Sequence, residues 1–219
     1  MGKNVLIAGI TSEIGKNLAI EFIKKKYRVI GTTRSDIKKL ISNSNYIQLN
    51  NFNYNDLPQL LKKYDFEIFA NCIGSYSKND FSSLNDKIIK DLYNSNLILP
   101  SSLIIKVFKN FSEKNKGTIV NINSVAALEA KIGNEIIYSS SKSGLKNLIE
   151  SLQLQVKNDK LNINLIDVYS GAFQSQMTIN RKDYDNLINP KELSKFLVMH
   201  LIKNNSFMID KINIKRNKY

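Results

Sequence analysis

The sequence predicts an α/β protein, organised as a three-layer, doubly wound parallel sheet of about seven strands. Short β-branched runs alternate along the chain with longer segments of helical spacing, which is typical of repeated strand–helix–strand units. The 219 residues and the hydrophobic fraction of 42% suit one packed core. No linker, internal repeat or low-complexity insert divides the sequence, so we predict that residues 1–219 form a single domain.

The individual elements follow from the spacing of apolar residues. Thr11 or Ser12 is suited to cap the amino end of the first helix. The fourth helix is predicted over roughly Leu84–Phe111, with Pro100 marking a kink or a restart, and the fifth over roughly Ile136–Asn158. The predicted strands are Asn4–Ala8, Tyr27–Thr32, Tyr46–Leu49, Glu67–Asn71, Gly117–Asn123, Asn162–Val168 and Phe207–Ile214.

The composition limits the class of protein and its partners. The formal charge of +13 fits either an anionic partner or a bias toward Lys, Asn and Ile. The lysines are scattered and no helix-turn-helix or RNA-binding signature is present, so we predict no nucleic-acid partner. A single cysteine, Cys72, and a single histidine, His200, exclude an internal disulfide and the usual Cys/His zinc site. Without a signal peptide or a bilayer-spanning apolar run, a cytoplasmic protein with no membrane partner is expected.

The segment "GITSEIG", residues 9–15, joins the first predicted strand to the first helix. Dinucleotide-binding loops at this place use glycines for a tight turn, for close approach to the pyrophosphate and for helix–strand packing. Gly9 and Gly15 suit the first and third roles, whereas Glu13 stands where the second glycine is usual. We hypothesise that the Glu13 side chain points to solvent and that the loop still binds. A plain strand–helix turn is the alternative.

A second group of polar residues is predicted at the same edge of the sheet. Tyr138 and Lys142 are four residues apart in a predicted helix and therefore share a face. A nearby ammonium lowers the pKa of a tyrosine, which can then act as a general acid or base. Ser124 ends a buried strand and is placed to share a substrate oxygen with Tyr138, while residues 71–74 end another strand.

Together these motifs resemble the short-chain dehydrogenases/reductases, which are NAD(P)-dependent oxidoreductases. Residues 9–15 resemble the glycine motif of the family, and "NCIG" at 71–74 resembles its Asn-Asn-Ala-Gly element. Gly171 stands after Ser170 where the family has a Pro-Gly step. Residues matching the catalytic tetrad in order and approximate spacing are Asn96, Ser124, Tyr138 and Lys142. The resemblance implies a Rossmann-type sheet with strand order 3-2-1-4-5-6-7.

The resemblance also implies a role for each residue. Tyr138 exchanges a proton with a carbonyl or secondary alcohol oxygen, and Ser124 orients that oxygen. Lys142 lowers the Tyr138 pKa and bonds the nicotinamide ribose, and Asn96 supports a proton-relay water. The implied cofactor-binding residues are Gly9, Thr11, Ser12, Glu13, Ile14, Gly15, Arg34, Asn51, Asn71, Cys72, Ile73, Gly74, Tyr138, Lys142 and Gly171.

The end of the second strand bears on the choice of cofactor. NAD users of the family carry an acidic residue there, but this chain has Thr33, followed by Arg34. A guanidinium suits a 2′-phosphate, so we predict NADP in preference to NAD. Asn51 is predicted to flank the adenine, although the register would equally put Asn50 there.

The sequence is short where the family has its substrate lid, between Ala172 and Asn189. A short lid predicts an open site for a bulky or tethered substrate. Arg181 and Lys182 suit an anionic substrate, with solvated surface charge as the alternative. In the family, the fourth and fifth helices pair subunits. The apolar stripes on these two helices therefore predict a homodimer or homotetramer; the alternative is that both stripes face only the sheet.

Two other functions compete with that of an oxidoreductase. A non-catalytic NAD(P)-binding sensor on the same fold is suggested by Glu13, but such proteins usually lose the Tyr or the Lys. Tyr138 and Lys142 are both present, which favours an enzyme. A nucleic-acid binder is suggested by charge alone.

Overall fold

The computed structural model describes residues 3–76, 81–202 and 207–217, without the side chain of Asn134. Within these ranges, seven parallel strands form one sheet in the order β3-β2-β1-β4-β5-β6-β7, which confirms the predicted fold class. The strands are β1 (Asn4–Ala8), β2 (Arg28–Thr32), β3 (Tyr46–Leu49), β4 (Phe66–Asn71), β5 (Gly117–Ser124), β6 (Ile163–Ser170) and β7 (Lys211–Ile214).

Helices cover both faces of this sheet, as parallel strands require. The α-helices are α1 (Glu13–Lys24), α2 (Leu57–Lys63), α3 (Asp86–Tyr93), α4 (Leu99–Lys114), α5 (Ile136–Asn158) and α6 (Pro190–Leu201). Short 3-10 turns occupy Tyr54–Asp56, Phe81–Ser83, Val125–Ala127, Gly133–Glu135 and Tyr184–Asn186.

The sheet separates two hydrophobic cores because successive strand residues point to opposite faces. On one face, Val5 and Ile7 of β1 pack in a cluster with Leu18 of α1 and Leu197 of α6. On the other face, Leu6 of β1 packs in a cluster with residues of α2, α4 and α5, including Leu61, Val107 and Ile149. The buried polar residues described below lie on this second face, near the carboxyl ends of the strands.

The predicted fourth helix is divided, and its second α-helical part restarts at Leu99, next to Pro100, as the sequence predicted. The helical run has a π-helical turn over Asn94–Ile98, between α3 and α4. Pro100 sits in the first turn of α4, directly after the π turn. The irregularity therefore comes before the proline, and it places Asn96 inside the π turn.

Candidate active site

A cleft crosses the carboxyl ends of β1, β4 and β5, where doubly wound sheets bind their ligands. One part reaches Tyr138 and Lys142, and the adjoining part reaches Thr33 and Arg34. The residues shared by the two parts are Thr11, Ser12, Cys72, Ile73, Gly74 and Met177. The fold thus brings the predicted glycine turn, Tyr138, Lys142 and Arg34 to one continuous surface, while Asn96 and Ser124 lie outside its described lining.

The glycine turn forms the middle of the cleft. Gly9 has φ +82°, and a Cβ there would lie 2.9 Å from the backbone carbonyl of Cys72. A Cβ on Gly15 would lie 2.6 Å from the Gly9 oxygen. Both positions therefore need glycine, one for backbone conformation and close approach, and the other for packing of α1 on the turn.

Ser12 caps α1, which settles the choice between Thr11 and Ser12. Its Oγ accepts from the Gly15 N–H at 3.1 Å and donates to the Gly9 oxygen at 2.8 Å. Glu13 and Ile14 line the cleft at the first turn of the helix, and Glu13 is half-buried there. Backbone N–H groups at a helix amino end favour an anion.

Arg34 is exposed at the far end of the cleft. Thr33 before it is buried, and its Oγ1 accepts from the Ser35 N–H at 3.1 Å, which shapes the turn after β2. Asn51 follows β3 with φ +48° and is exposed. Asn50 is tied down, since its Nδ2 donates to the Ile37 oxygen at 2.6 Å. Of these two asparagines, Asn51 has the freer side chain.

Tyr138 lines the inner end of the cleft, and Ser124 is close enough to act on its pKa. Ser124 ends β5, where its Oγ accepts from the Ala126 N–H at 3.1 Å. Burial raises the pKa of Tyr138, the Ser124 hydroxyl lowers it, and the charge of Glu135 raises it further. The net direction is upward, so the expected lowering of the Tyr138 pKa is corrected: desolvation of the phenol outweighs the favourable contact.

Lys142 lies one helical turn beyond Tyr138 on α5 and is 4% exposed. Its Nζ is 6.0 Å from the centroid of the Tyr138 ring and donates to the Ile122 oxygen at 3.5 Å. Burial lowers the pKa of Lys142 to about 8, against the opposing effect of the Asp167 carboxylate. The ammonium is therefore close to its titration range at neutral pH.

Asn96 fixes the segment after β4. Its Oδ1 accepts from the Ser75 N–H at 2.7 Å and its Nδ2 donates to the Ser75 oxygen at 2.9 Å. A Cβ on Gly74 would lie 3.2 Å from Asn96 Oδ1 and 3.3 Å from Lys142 Nζ, so both polar groups border this glycine. The π turn thus holds Asn96 over residues 72–76.

Two predicted cofactor residues lie behind or beside the cleft. Asn71 is fully buried, and its Nδ2 donates to Asn121 Oδ1 at 2.7 Å, so it supports the cleft from below. Gly171 follows β6, where its N–H donates to the Ile214 oxygen at 2.8 Å. Neither is among the described residues that line the cleft, and the same holds for two other predicted cofactor residues, Gly15 and Asn51. The proposed roles of Asn71 and Gly171 are therefore indirect.

Tyr76 and Glu135 are site residues that sequence reasoning missed. The Tyr76 hydroxyl donates to Glu135 Oε1 at 3.3 Å, and its ring packs edge-on against Tyr138. Tyr76 lies in a loop without periodicity, and Glu135 lies just before α5, so neither had a pattern to mark it. The only signal was proximity in sequence to "NCIG" and to Tyr138.

The lid segment after β6 covers part of the cleft with Phe173, Ser175, Gln176 and Met177. Arg181 is already paired, because its Nε and Nη2 donate to the Asp183 carboxylate at 2.8 and 2.9 Å. Arg216 pairs with the same carboxylate. These pairs give no support to Arg181 as a free anchor for an anionic substrate.

Two further properties bear on the kind of site. Among the described residues, no group of three or more His, Cys, Asp or Glu side chains is arranged to hold a metal ion. None of the helices in the same ranges is long and apolar enough to cross a membrane.

The chain belongs to the short-chain dehydrogenase family, whose model matches residues 3–186. It is 26% identical over 210 residues to the 3-oxoacyl-(acyl-carrier-protein) reductase FabG of Buchnera aphidicola subsp. Acyrthosiphon pisum, covering 89% of this chain and 84% of that one. The FabG of subsp. Schizaphis graminum is 30% identical over 191 residues, covering 81% and 76%. An NADP-dependent 3-hydroxy acid dehydrogenase of Schizosaccharomyces pombe is 22% identical, covering 95% and 90%.

Solved structures share the same fold. "ElxO with NADP Bound" superposes with a TM-score of 0.83 at 22% identity, covering 98% of this chain and 97% of that one. "4-hydroxyisoleucine dehydrogenase complexed with NADH" also gives 0.83, at 23% identity, with the same coverage. The protein is thus an NAD(P)-dependent oxidoreductase of the short-chain type, acting on CH–OH or C=O groups.

Proposed function

We propose that the protein is an NADP-dependent carbonyl reductase, running in reverse as an alcohol dehydrogenase, with Tyr138 as the general acid or base. The observation that carries the proposal is the continuous cleft joining Tyr138 and Lys142 to Arg34 across the Gly9 turn. The turn after β1, which Gly9 and Gly15 keep tight, puts the first residues of α1 on the cleft, and the amino end of a helix fits a pyrophosphate. A bound nicotinamide supplies the hydride.

The residues of the chain hold the substrate oxygen and move its proton. Tyr138 donates a proton to a carbonyl oxygen, or accepts one from an alcohol. Ser124, whose hydroxyl already acts on the Tyr138 pKa, orients the same oxygen. Lys142 bonds the nicotinamide ribose and stabilises the phenolate. Asn96 holds the Ser75 backbone beside the site and supports a water that relays protons to Lys142.

Arg34 supports the preference for NADP. Its guanidinium is exposed at the end of the cleft opposite to Tyr138, and the buried Thr33 before it carries no charge. A 2′-phosphate would gain a charge-assisted hydrogen bond from this guanidinium. Gly9, Thr11, Ser12 and Ile14 would hold the pyrophosphate, with Gly15 packing α1 on the turn beneath them. Cys72, Ile73 and Gly74 would form the opposite wall, and Asn51 would flank the adenine.

The substrate class follows from the relatives and from the lid. Two relatives are named 3-oxoacyl reductases and a third a 3-hydroxy acid dehydrogenase, so all three names describe an oxygen on the third carbon of an acyl chain or acid. The lid offers apolar Phe173 and Met177, and Arg181 is neutralised by Asp183. A 3-oxoacyl thioester is therefore the first substrate to test.

Assembly is a separate part of the proposal. Most apolar residues of α4 and α5 are buried against the sheet, but Ile105 and Leu154 are 36% and 65% exposed. We propose that these outer faces pair two copies of the chain. Light scattering should then give at least twice the 25.0 kDa of the chain, and a monomeric mass would contradict the pairing.

The deciding experiment titrates the purified protein with NADPH and NADH by nucleotide fluorescence, and then screens carbonyl substrates. We expect tighter binding of NADPH than of NADH, and turnover that falls at least 10²-fold in Tyr138→Phe. Tyr93→Phe is the matched control, because the Tyr93 hydroxyl contacts Ser140 away from the cleft. Failure of both nucleotides to bind would contradict the proposal. Binding without turnover across the panel would instead favour a non-catalytic sensor.

A further inference from the structure

Two charged side chains are buried in the described part of the chain, Lys142 and Asp167, at 4% and 0% exposure. The proposed function uses Lys142 and leaves Asp167 without a role. Asp167 lies on β6, directly opposite Asn121 of β5 in the parallel register. A carboxylate at this depth is costly, so its retention needs a reason.

Amide groups hold both oxygens of the Asp167 carboxylate. Oδ1 accepts from Asn121 Nδ2 at 2.7 Å, and Oδ2 accepts from Asn123 Nδ2 at 3.0 Å. Asn121 in turn accepts from Asn71 Nδ2, so the polar layer extends across β4, β5 and β6. Burial raises the pKa of Asp167, while the amides and Lys142 lower it. The carboxylate is thereby oriented as well as partly stabilised.

Lys142 lies over the same layer. Its Nζ donates to the oxygen of Ile122, the residue between Asn121 and Asn123. Asn123 Nδ2, which binds the carboxylate, is also 3.4 Å from the Lys142 backbone oxygen and donates to it. Asn123 thus connects the carboxylate to the helix position that carries the ammonium.

Other titratable groups surround the pair. The Cys72 thiol faces Lys142 from the loop after β4, and Tyr138 faces it from its own helix. On the other side, Tyr169 and Lys211 lie close to Asp167 from β6 and β7. The thiol is neutral, because burial raises its pKa to about 12. The carboxylate that acts on Lys142 is that of Asp167.

We propose that Asp167 is a positioning residue for Lys142: its carboxylate keeps the buried ammonium charged, and Asn123, which binds both the carboxylate and the Lys142 backbone oxygen, fixes the helix position that carries the lysine. The inference rests on the proposed function, in which Lys142 bonds the nicotinamide ribose and stabilises the Tyr138 phenolate. Asp167 itself touches neither substrate nor cofactor, and it acts through the lysine.

The test measures the Lys142 titration by NMR of protein with ¹³C-labelled lysine, without added nucleotide. Asp167→Asn removes the charge, and the Lys142 pKa should fall by at least about one pH unit from its value near 8. Asp159→Asn is the matched control, because Asp159 also accepts from two amides, those of Gln155 and Asn158, at the exposed end of α5. Asp159→Asn should leave the Lys142 pKa unchanged.

A reciprocal variant keeps the proposal testable if Asp167→Asn does not fold. Coupling between two titrating groups is mutual, so Lys142→Met should raise the Asp167 pKa by a comparable amount. The carboxyl resonance of Asp167 reports this in ¹³C-labelled protein. Urea unfolding of each variant shows that the chain measured is folded.

The outcomes separate this inference from the proposed function. A change below about 0.3 pH unit in the partner's titration, in either folded variant, would show that Asp167 is only structural and would overturn the inference. If the protein reduces carbonyl substrates but neither titration changes in the variants, the proposed function stands and the inference about Asp167 is rejected. If the two titrations are coupled but the protein reduces no carbonyl, the inference about Asp167 stands and the proposed function is rejected.

Discussion

The rings of Tyr76 and Tyr138 meet edge to face, with 5.3 Å between their centroids and 84° between their planes. The Tyr76 hydroxyl donates to Glu135, which places a carboxylate behind the phenol that we propose as acid or base. Both Glu135 and Tyr76 raise the pKa of Tyr138. Tyr76 and Glu135 therefore lower the acidity of the reacting phenol, and Tyr76 also forms part of the cleft wall.

Glu135→Gln should shift the pH dependence of alcohol oxidation. Removing the negative charge favours the phenolate, so the Tyr138 pKa falls and oxidation begins at lower pH. The measurement is kcat/KM for oxidation across the pH range. Glu129→Gln is the control, since Glu129 is exposed and pairs with Lys131. Superimposable profiles for Glu135→Gln and the wild type would contradict the assignment.

Arg34→Ala should weaken NADPH binding at least about 10-fold and leave NADH binding unchanged, because the lost contact is to the 2′-phosphate. Fluorescence titrations with both nucleotides provide the comparison. Arg28→Ala serves as the control from the other end of β2, where the guanidinium lies 5.6 Å from the centroid of the Tyr64 ring. Equal losses for NADPH and NADH would show that Arg34 does not recognise the 2′-phosphate.

Gly9→Ala should destabilise the chain more than Gly133→Ala. Both glycines have positive φ, +82° and +64°, so each alanine costs about 1–2 kcal/mol in backbone strain. A Cβ at Gly133 has no neighbour within 4 Å, whereas one at Gly9 meets the Cys72 backbone. The free energy of unfolding in urea measures the difference. Equal losses would mean that the turn adapts without cost.

The free energy of unfolding should rise between pH 8 and 9 in the wild type, relative to Lys142→Met. Burial lowers the Lys142 pKa to about 8 from 10.5, so above pH 8 the folded chain has released a proton that the unfolded chain still holds. Raising the pH then favours folding, by at most about 1.4 kcal/mol per pH unit. Above pH 9 the Cys72 thiol, with its pKa raised to about 12, acts in the opposite direction. The measurement is urea unfolding of the wild type and of Lys142→Met at pH 7, 8 and 9. If the difference in the free energy of unfolding between the two proteins did not change with pH, the lowered Lys142 pKa would be contradicted.

The sequence predicted the parts of the fold that depend on periodicity. The predicted fifth helix coincides with α5, and six predicted strands overlap the observed ones within two residues at each end. The π turn around Asn96 was not predicted, although Pro100, which has no N–H to bond the Asn96 carbonyl, lies four residues further on. Strand β7 is shorter than expected, beginning at Lys211 instead of Phe207.

The site residues that belong to motifs of known spacing were predictable. Residues whose role depends on which side chain they bind in the folded chain were not. A sequence shows that Arg181 is charged, but not that Asp183 takes up that charge. Tyr76 enters the site through the path of a loop, which has no local signature. Asp167 did carry a signal, because a carboxylate inside the apolar run of β6 is unusual. Its amide partners lie on a different strand, so their identity required the register.

The lid segment is tied off at its base. Phe173 and Ile188 form a parallel bridge, the Gln174 N–H donates to the Ile188 oxygen at 3.0 Å, and the Ile188 N–H donates to the Ala172 oxygen at 3.2 Å. Thr178 closes the segment internally by donating to the Phe173 oxygen at 2.8 Å. The segment between Gln174 and Leu187 therefore joins the sheet through one short neck, with the Asp183–Arg216 ion pair as a second tie. The part of the cleft that we propose to select the substrate is thus built on a separate loop from the residues that we propose to move the proton.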